Sequence, residues 1–196
     1  MAFASARAAS TSPTAEDADA TVTTNNVQAG EISCQYIVDK LGGKGDVIIE
    51  NGPQVSAVID RVVGCKNVFS KNPGLKVLSS DQDAKGSREG GLTVTQGYLT
   101  RFAKIDAIFA INDPQAIGTD LAARQQQRSG IIITAVDGAP DIEAALKDPE
   151  QIQASASQAP FFMARRADRR QHSQWAEACF DRRAFAVEAR DPGQYR

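Results

Sequence analysis

Aromatic side chains make up only 6% of this 196-residue chain, and its single tryptophan (Trp175) and single histidine (His172) both lie beyond residue 167. A histidine in an aperiodic stretch, with no partner to orient it, leaves a Ser–His–Asp relay nothing to stand on. Cysteine is also scarce: Cys34, Cys65 and Cys179 form neither a zinc spacing nor a Cys-x-x-Cys pair. Charge of one sign is not in excess, with 24 acidic against 22 basic residues. That balance argues against a nucleic-acid partner held by electrostatics. No apolar run approaches the length that spans a bilayer, so no membrane insertion is expected. Residues 1–20 are rich in Ala, Ser and Thr and carry Glu16, Asp17 and Asp19. They lack the basic start and apolar centre of a secretory leader. The glycine-rich stretch 42–45 follows a helical pattern and precedes a strand, the reverse of the order that cradles a phosphate. Asp81 and Asp83 read as a solvated loop rather than a metal site. No catalytic residue, metal or cofactor is expected, and nothing calls for an enzyme.

What is present is regular alternation. Residues 21–24 are a short β-branched run, and Asn25-Asn26 supplies a cap for a helix over 27–41. Strands are predicted at 46–50, 75–79, 107–111, 131–136 and 152–157. Helices are predicted between them at 54–70, 87–102, 114–127 and 141–147. The runs at 107–111 and 131–136 are continuously apolar, as in strands buried on both faces of a parallel sheet. The fold class is therefore α/β, a doubly wound, mostly parallel sheet of about six strands, with alternate helices placed on opposite faces. Cys34 and Cys65 each fall in an apolar helical pattern and read as small buried hydrophobes; a Cys34–Cys65 disulfide is the alternative.

Ligands of open α/β sheets bind beyond the carboxyl ends of the strands. The loops there carry Asn51, Asp81, Asp83, Arg88, Asn112, Asp113, Asp137 and Gln158. Carboxylates accept from hydroxyls, Arg donates and amides do both, which suits a neutral, hydroxyl-rich ligand. Singly, Asn112 or Asp113 reads as a cap for the helix at Pro114, and Asp137 as a holder of the turn at Gly138. Together at one sheet end they favour binding.

Several segments, in order, resemble one family. They are Asn-Asn-Val-Gln-Ala-Gly at 25–30, Leu-Gly-Gly-Lys-Gly at 41–45, Ala-Ile-Phe-Ala-Ile-Asn-Asp at 107–113, Val-Asp-Gly-Ala-Pro-Asp at 136–141, and the stretch 154–160. From residue 24 to about 167 the chain resembles the carboxyl-terminal lobe of ribose-type periplasmic sugar-binding proteins, the solute receptors of ABC importers. The resemblance implies a periplasmic protein that clamps a monosaccharide or related polyol between two lobes and is read by a membrane permease. It assigns ligand contacts to Asn112, Asp137 and Gln158. It places the family's helix arginine at Ile59, with Arg61 adjacent, and loop aromatics at Gly86 and Val136, so Arg61 and Arg88 are the substitutes expected to contact the ligand. A ligand-sensing domain of a lactose-repressor-type regulator shares this fold and is the alternative, but residues 1–20 offer no helix-turn-helix. One lobe without closure is expected to bind sugar weakly or undetectably.

Residues 1–20 and 168–196 do not follow the pattern, which confines the lobe to 21–167. Codons can be chosen for residues 168–180 so that reading one nucleotide later gives Ile-Gly-Gly-Asn-Ile-Leu-Asn-Gly-Gln-Lys-Pro-Val. That peptide resembles what the family carries after this helix. A frameshifted tail is the expectation, and the sequence of the locus decides it.

Overall fold

The computed structural model describes residues 24–147 and 151–157. Polar caps start α1, α3 and α4 among its helices. Asn25 accepts from the Gln28 amide at the head of α1 (Asn26–Leu41), and Gly42, in the left-handed region at φ 60°, ends it. Strand β1 (Gly45–Glu50) follows, then α2 (Ser56–Ser70) and β2 (Leu75–Ser79). Ser87 caps α3 (Arg88–Arg101), and Asn112 caps α4 (Asp113–Gln125), where Pro114 fits the first turn. Strand β3 (Ala107–Ala110) lies between them, with β4 (Ile132–Asp137), α5 (Pro140–Lys147) and β5 (Ile152–Ser157) after α4.

The five strands are parallel and ordered β2-β1-β3-β4-β5. About six were expected: residues 21–23 lie outside the described residues, as do Gln158 and the tail, and Thr24 carries no strand. The helices do not alternate between faces. Ala29, Cys34 and Ile37 of α1 and Val58, Val62 and Cys65 of α2 share one core with Val47, Ile49 and Phe109. Residues of α3, α4 and α5 share the other with Ile48, Ile108 and Ile133. The cause is the strand order. Right-handed crossovers put a helix on a face set by the direction the chain steps across the sheet. Only the step from β1 to β2 runs opposite to the later ones.

Both helix pairs close on reciprocal glycines. A Cβ at Gly64 would lie 2.0 Å from the Val27 carbonyl oxygen, and one at Gly30 2.1 Å from that of Arg61. Gly91 and Gly118 stand in the same relation across α3 and α4, meeting the carbonyls of Gln115 and Arg88. Gly64→Ala should therefore destabilise by about 2 kcal/mol despite alanine's better helix propensity, because two backbones must separate. An unchanged or raised melting temperature would contradict this close approach.

Cys34 and Cys65 are both fully buried, and they are bonded to each other, with Cα atoms 5.2 Å apart. Their expected role as separate small hydrophobes is thus corrected. The glycine contacts bring α1 and α2 close enough for facing cysteines to meet.

Candidate functional site

The sheet order reverses at β1, so the ends of β1 and β3 open a crevice flanked by helices of opposite faces. Arg61 of α2 enters it from one side. Its side chain is 8% exposed, and each guanidinium nitrogen has a partner. Nε donates to Asn26 Oδ1 at 3.0 Å, Nη1 donates to the Ile111 carbonyl at 2.7 Å, and Nη2 pairs with Asp137 Oδ1 at 3.1 Å. The arginine thus joins the start of α1, the end of β3 and the end of β4. Asp137 keeps 30% of its side chain exposed and sits at φ 135°, a conformation non-glycine residues rarely adopt.

Ile59, the position to which the resemblance assigned the family arginine, is 45% exposed. Two residues along a helix turn the side chain by about 200°. Ile59 therefore faces away from the crevice that Arg61 enters. The buried residues Val58, Val62, Cys65 and Phe69 fix the helix phase. That phase was the signal that would have selected Arg61 over Ile59. Val136 is fully buried in the core, so its side chain does not line the crevice.

Asn112 does cap α4, accepting from the Gln115 amide at 3.0 Å. Its Nδ2 also donates to the Gly86 carbonyl at 3.0 Å, which ties the loop before α3 to the end of β3. Gly86 needs its φ of 63°, and a Cβ there would press on Asn112 Nδ2 at 3.3 Å. Asp113 is not a cap. It is fully buried and reaches across to β4 and β5, accepting from the Ala139 amide at 2.7 Å and from Ser155 Oγ at 2.5 Å. Burial pushes its carboxyl up to about 7, against those hydrogen bonds, with Asp137 nearby adding to the rise.

Arg88 lies apart from this group. At the start of α3 it is 55% exposed and pairs with the exposed Asp141 at 3.1 Å, on the rim. Asn51 donates to the Ser80 carbonyl, and Asp83 accepts from the Lys85 amide, so both shape loops. Asp81 accepts from Ser79 Oγ, which holds its carboxyl below the usual range. Arg61 and Asp137 therefore meet, Asn112 follows directly on the Ile111 carbonyl that Arg61 holds, Arg88 stands at the edge, and Gln158 lies outside the described residues.

Two buried polar residues went unnoticed in the sequence. Gln115 Nε2 donates to the carbonyls of Glu50 and Asn51 while its Oε1 accepts from the Gly86 amide. The Glu50 side chain, fully buried, accepts from Thr95 and Thr119. Burial raises its carboxyl to about 8. Neither had a signal beyond a polar residue inside an otherwise apolar pattern.

Comparison with known proteins places this geometry. A match to the family described as "Periplasmic binding protein domain" spans residues 2–167. The chain belongs to that family. Among its relatives, the ribose import binding protein RbsB of Bacillus subtilis is 34% identical over 140 residues, covering 71% of this chain and 44% of that protein. The xylitol-binding protein of Mycolicibacterium smegmatis is 33% identical over 133 residues, covering 67% of this chain and 38% of that one. The chain thus spans less than half the length of these two relatives. A solved ABC transporter periplasmic solute binding protein from Actinobacillus succinogenes, with bound D-allose, superposes with a TM-score of 0.68 at 28% identity. The match covers 81% of this chain and 54% of that one. The fold is that of type I periplasmic binding proteins, and the homologues are sugar-binding components of ABC importers, which are binding proteins rather than enzymes.

Proposed function

We propose that this chain is a sugar-binding lobe of a solute receptor serving a carbohydrate ABC importer, with no catalytic activity of its own. The carrying observation is the Arg61–Asp137 pair beside Asn112 at the sheet's reversal point. The partly exposed Asp137 carboxylate accepts from vicinal hydroxyls, and Arg61 orients it. Arg61 has five N–H groups, of which Asn26, Ile111 and Asp137 take three. Two remain to donate to hydroxyl oxygens. This donor-and-acceptor set fits a monosaccharide or polyol, and no metal-holding cluster occurs among the described residues. Gln158 would add an amide from the end of β5. In the family's architecture a permease reads the closed receptor. A buried disulfide joining two core helices fits maturation in an oxidising compartment such as the periplasm.

The test is amide chemical-shift mapping of the labelled chain with ribose, allose, xylitol and myo-inositol. The expected result is a saturable shift centred on Asn112, Asp137 and Gly138. Asp137→Ala should weaken the affinity about 10- to 100-fold, the loss of a charged hydrogen-bond acceptor. A folded chain whose Asp137 region ignores all four compounds would refute the reading.

A further inference from the structure

Asp137 must be held in an unusual backbone conformation, and something must do the holding. Gly138, next in the chain, also has a positive φ, of 70°. A Cβ there would lie 2.5 Å from Ser157 Oγ, so the turn is pressed against β5. The hydrogen bonds that fix it run to one side chain. Asp113 Oδ2 accepts from the Ala139 amide and Oδ1 from Ser155 Oγ, while Ser155 Oγ itself accepts from the Gly138 amide at 3.2 Å. Asp113 is the first residue of α4, directly after Asn112. One buried carboxylate therefore links the start of α4, the turn after β4 and the strand β5 around the base of the crevice.

We propose that Asp113 is a positioning residue for the ligand site, acting through the Gly138–Ala139 turn and Ser155 to aim the Asp137 carboxylate. The proposal rests on the sugar-site reading only in what Asp137 is aimed at. The partners of Asp113 explain why the carboxylate form is needed. All of them are donors, which suits an ionised group. On protonation the acid must itself donate, and at 2.5 Å its nearest acceptor is Ser155 Oγ. The serine then has to turn its own hydrogen away from Asp113 while still accepting from Gly138. The link between α4 and the turn weakens.

The charged groups around Asp113 set when this happens. Asp137 at the end of β4 opposes its ionisation, and Arg61 from α2 is committed to Asp137. Strand β5 contributes a hydroxyl and the start of α5 an amide, while the Asp141–Arg88 pair lies exposed on the rim. With burial dominant, the changeover falls at about 7. The turn is thus tight above neutrality and loosened below it.

The experiment is a pH titration of the ligand-free, isotope-labelled chain, following the Gly138 and Ala139 amides. Both are expected to titrate together with a midpoint near 7, the value burial imposes on Asp113. In Asp113→Asn, which places a donor where the acid carries its proton, both should be flat and resemble the low-pH wild type. Ser155→Ala serves if that variant does not fold: Ala139 should still titrate, and the response of Gly138 should shrink. Flat amides in the wild type, or unchanged titration in Asp113→Asn, would overturn the proposal. A second arm repeats the xylitol and ribose mapping on either side of neutrality. Weaker binding on the acid side in the wild type, with no pH dependence in Asp113→Asn, supports the aiming role. A titrating turn with no sugar response at either pH would fault the sugar reading and leave the turn mechanism standing.

Discussion

Replacing Cys34 and Cys65 together by alanine is expected to lower the stability of this chain by about 3.7 kcal/mol, the loop-entropy value for a 31-residue separation. The bridge spans most of the α1–α2 pair, so without it the unfolded chain regains the freedom of that whole segment. Part of the effect should appear at the candidate site. Cys65 lies one turn beyond Arg61 on α2, and Asn26, which holds Arg61 Nε, begins the helix that carries Cys34. Urea unfolding of the double variant, compared with the oxidised chain, measures the loss. Both sulfurs are buried, so a reductant reaches them only when the helices part. Reduction of the native protein should therefore proceed no faster than opening. Equal unfolding midpoints for the two proteins would mean that the bridge contributes nothing to the fold.

Glu50→Gln is expected to do the opposite and raise stability at neutral pH by about 3 kcal/mol, the free energy of holding a carboxyl protonated from its unfolded value up to neutrality. The sign follows from the direction of the shift. Burial lifts the folded group from 4.5 to about 8, so the native state binds the proton more tightly than the unfolded chain does. Below the unfolded value this costs nothing. Stability then falls as the pH rises toward 8 and levels off above it. Glutamine has the shape of the protonated acid and can donate to Thr119 or Thr95 in its place. The variant should therefore lose this part of the pH slope, with the contribution of Asp113, of the same sign, remaining. Melting temperatures across the range from acid to mildly alkaline pH check it. A variant less stable than the wild type at every pH would show that the ionised side chain is stabilised in place.

The alternation of strands and helices was legible because both signals are local. An apolar run such as 107–111 and a cap such as Asn25 or Ser87 need no knowledge of the rest of the chain. The same holds for Asp137, which follows the last residue of an apolar run and precedes a glycine. What escaped was whatever depends on relations between distant elements. The placement of α2 on the face opposite α3, α4 and α5 follows from a strand order that no single segment reports. Arg61 was named only as a neighbour of Ile59, because matching residue identities along the chain carries no helix phase. The disulfide needed two helices to approach through glycines, and Asp113 looked like a cap because its true partners lie 26 and 42 residues away.

For the sugar-binding lobe proposed above, Gln115 carries a consequence for how ligand preference is acquired. Its amide joins the loop after β1 to the loop before α3, and Asn112 joins that second loop to the end of β3. With Asp113 fastening the turn after β4, the loops beyond β1, β3 and β4 are all tied by hydrogen bonds to the first turn of α4, and on the proposed reading these are the segments that face a ligand. A surface built this way does not mould itself to different guests. Its repertoire changes by exchanging individual side chains on a fixed wall, so closely related receptors can diverge in taste by point substitution while their backbones stay superposable.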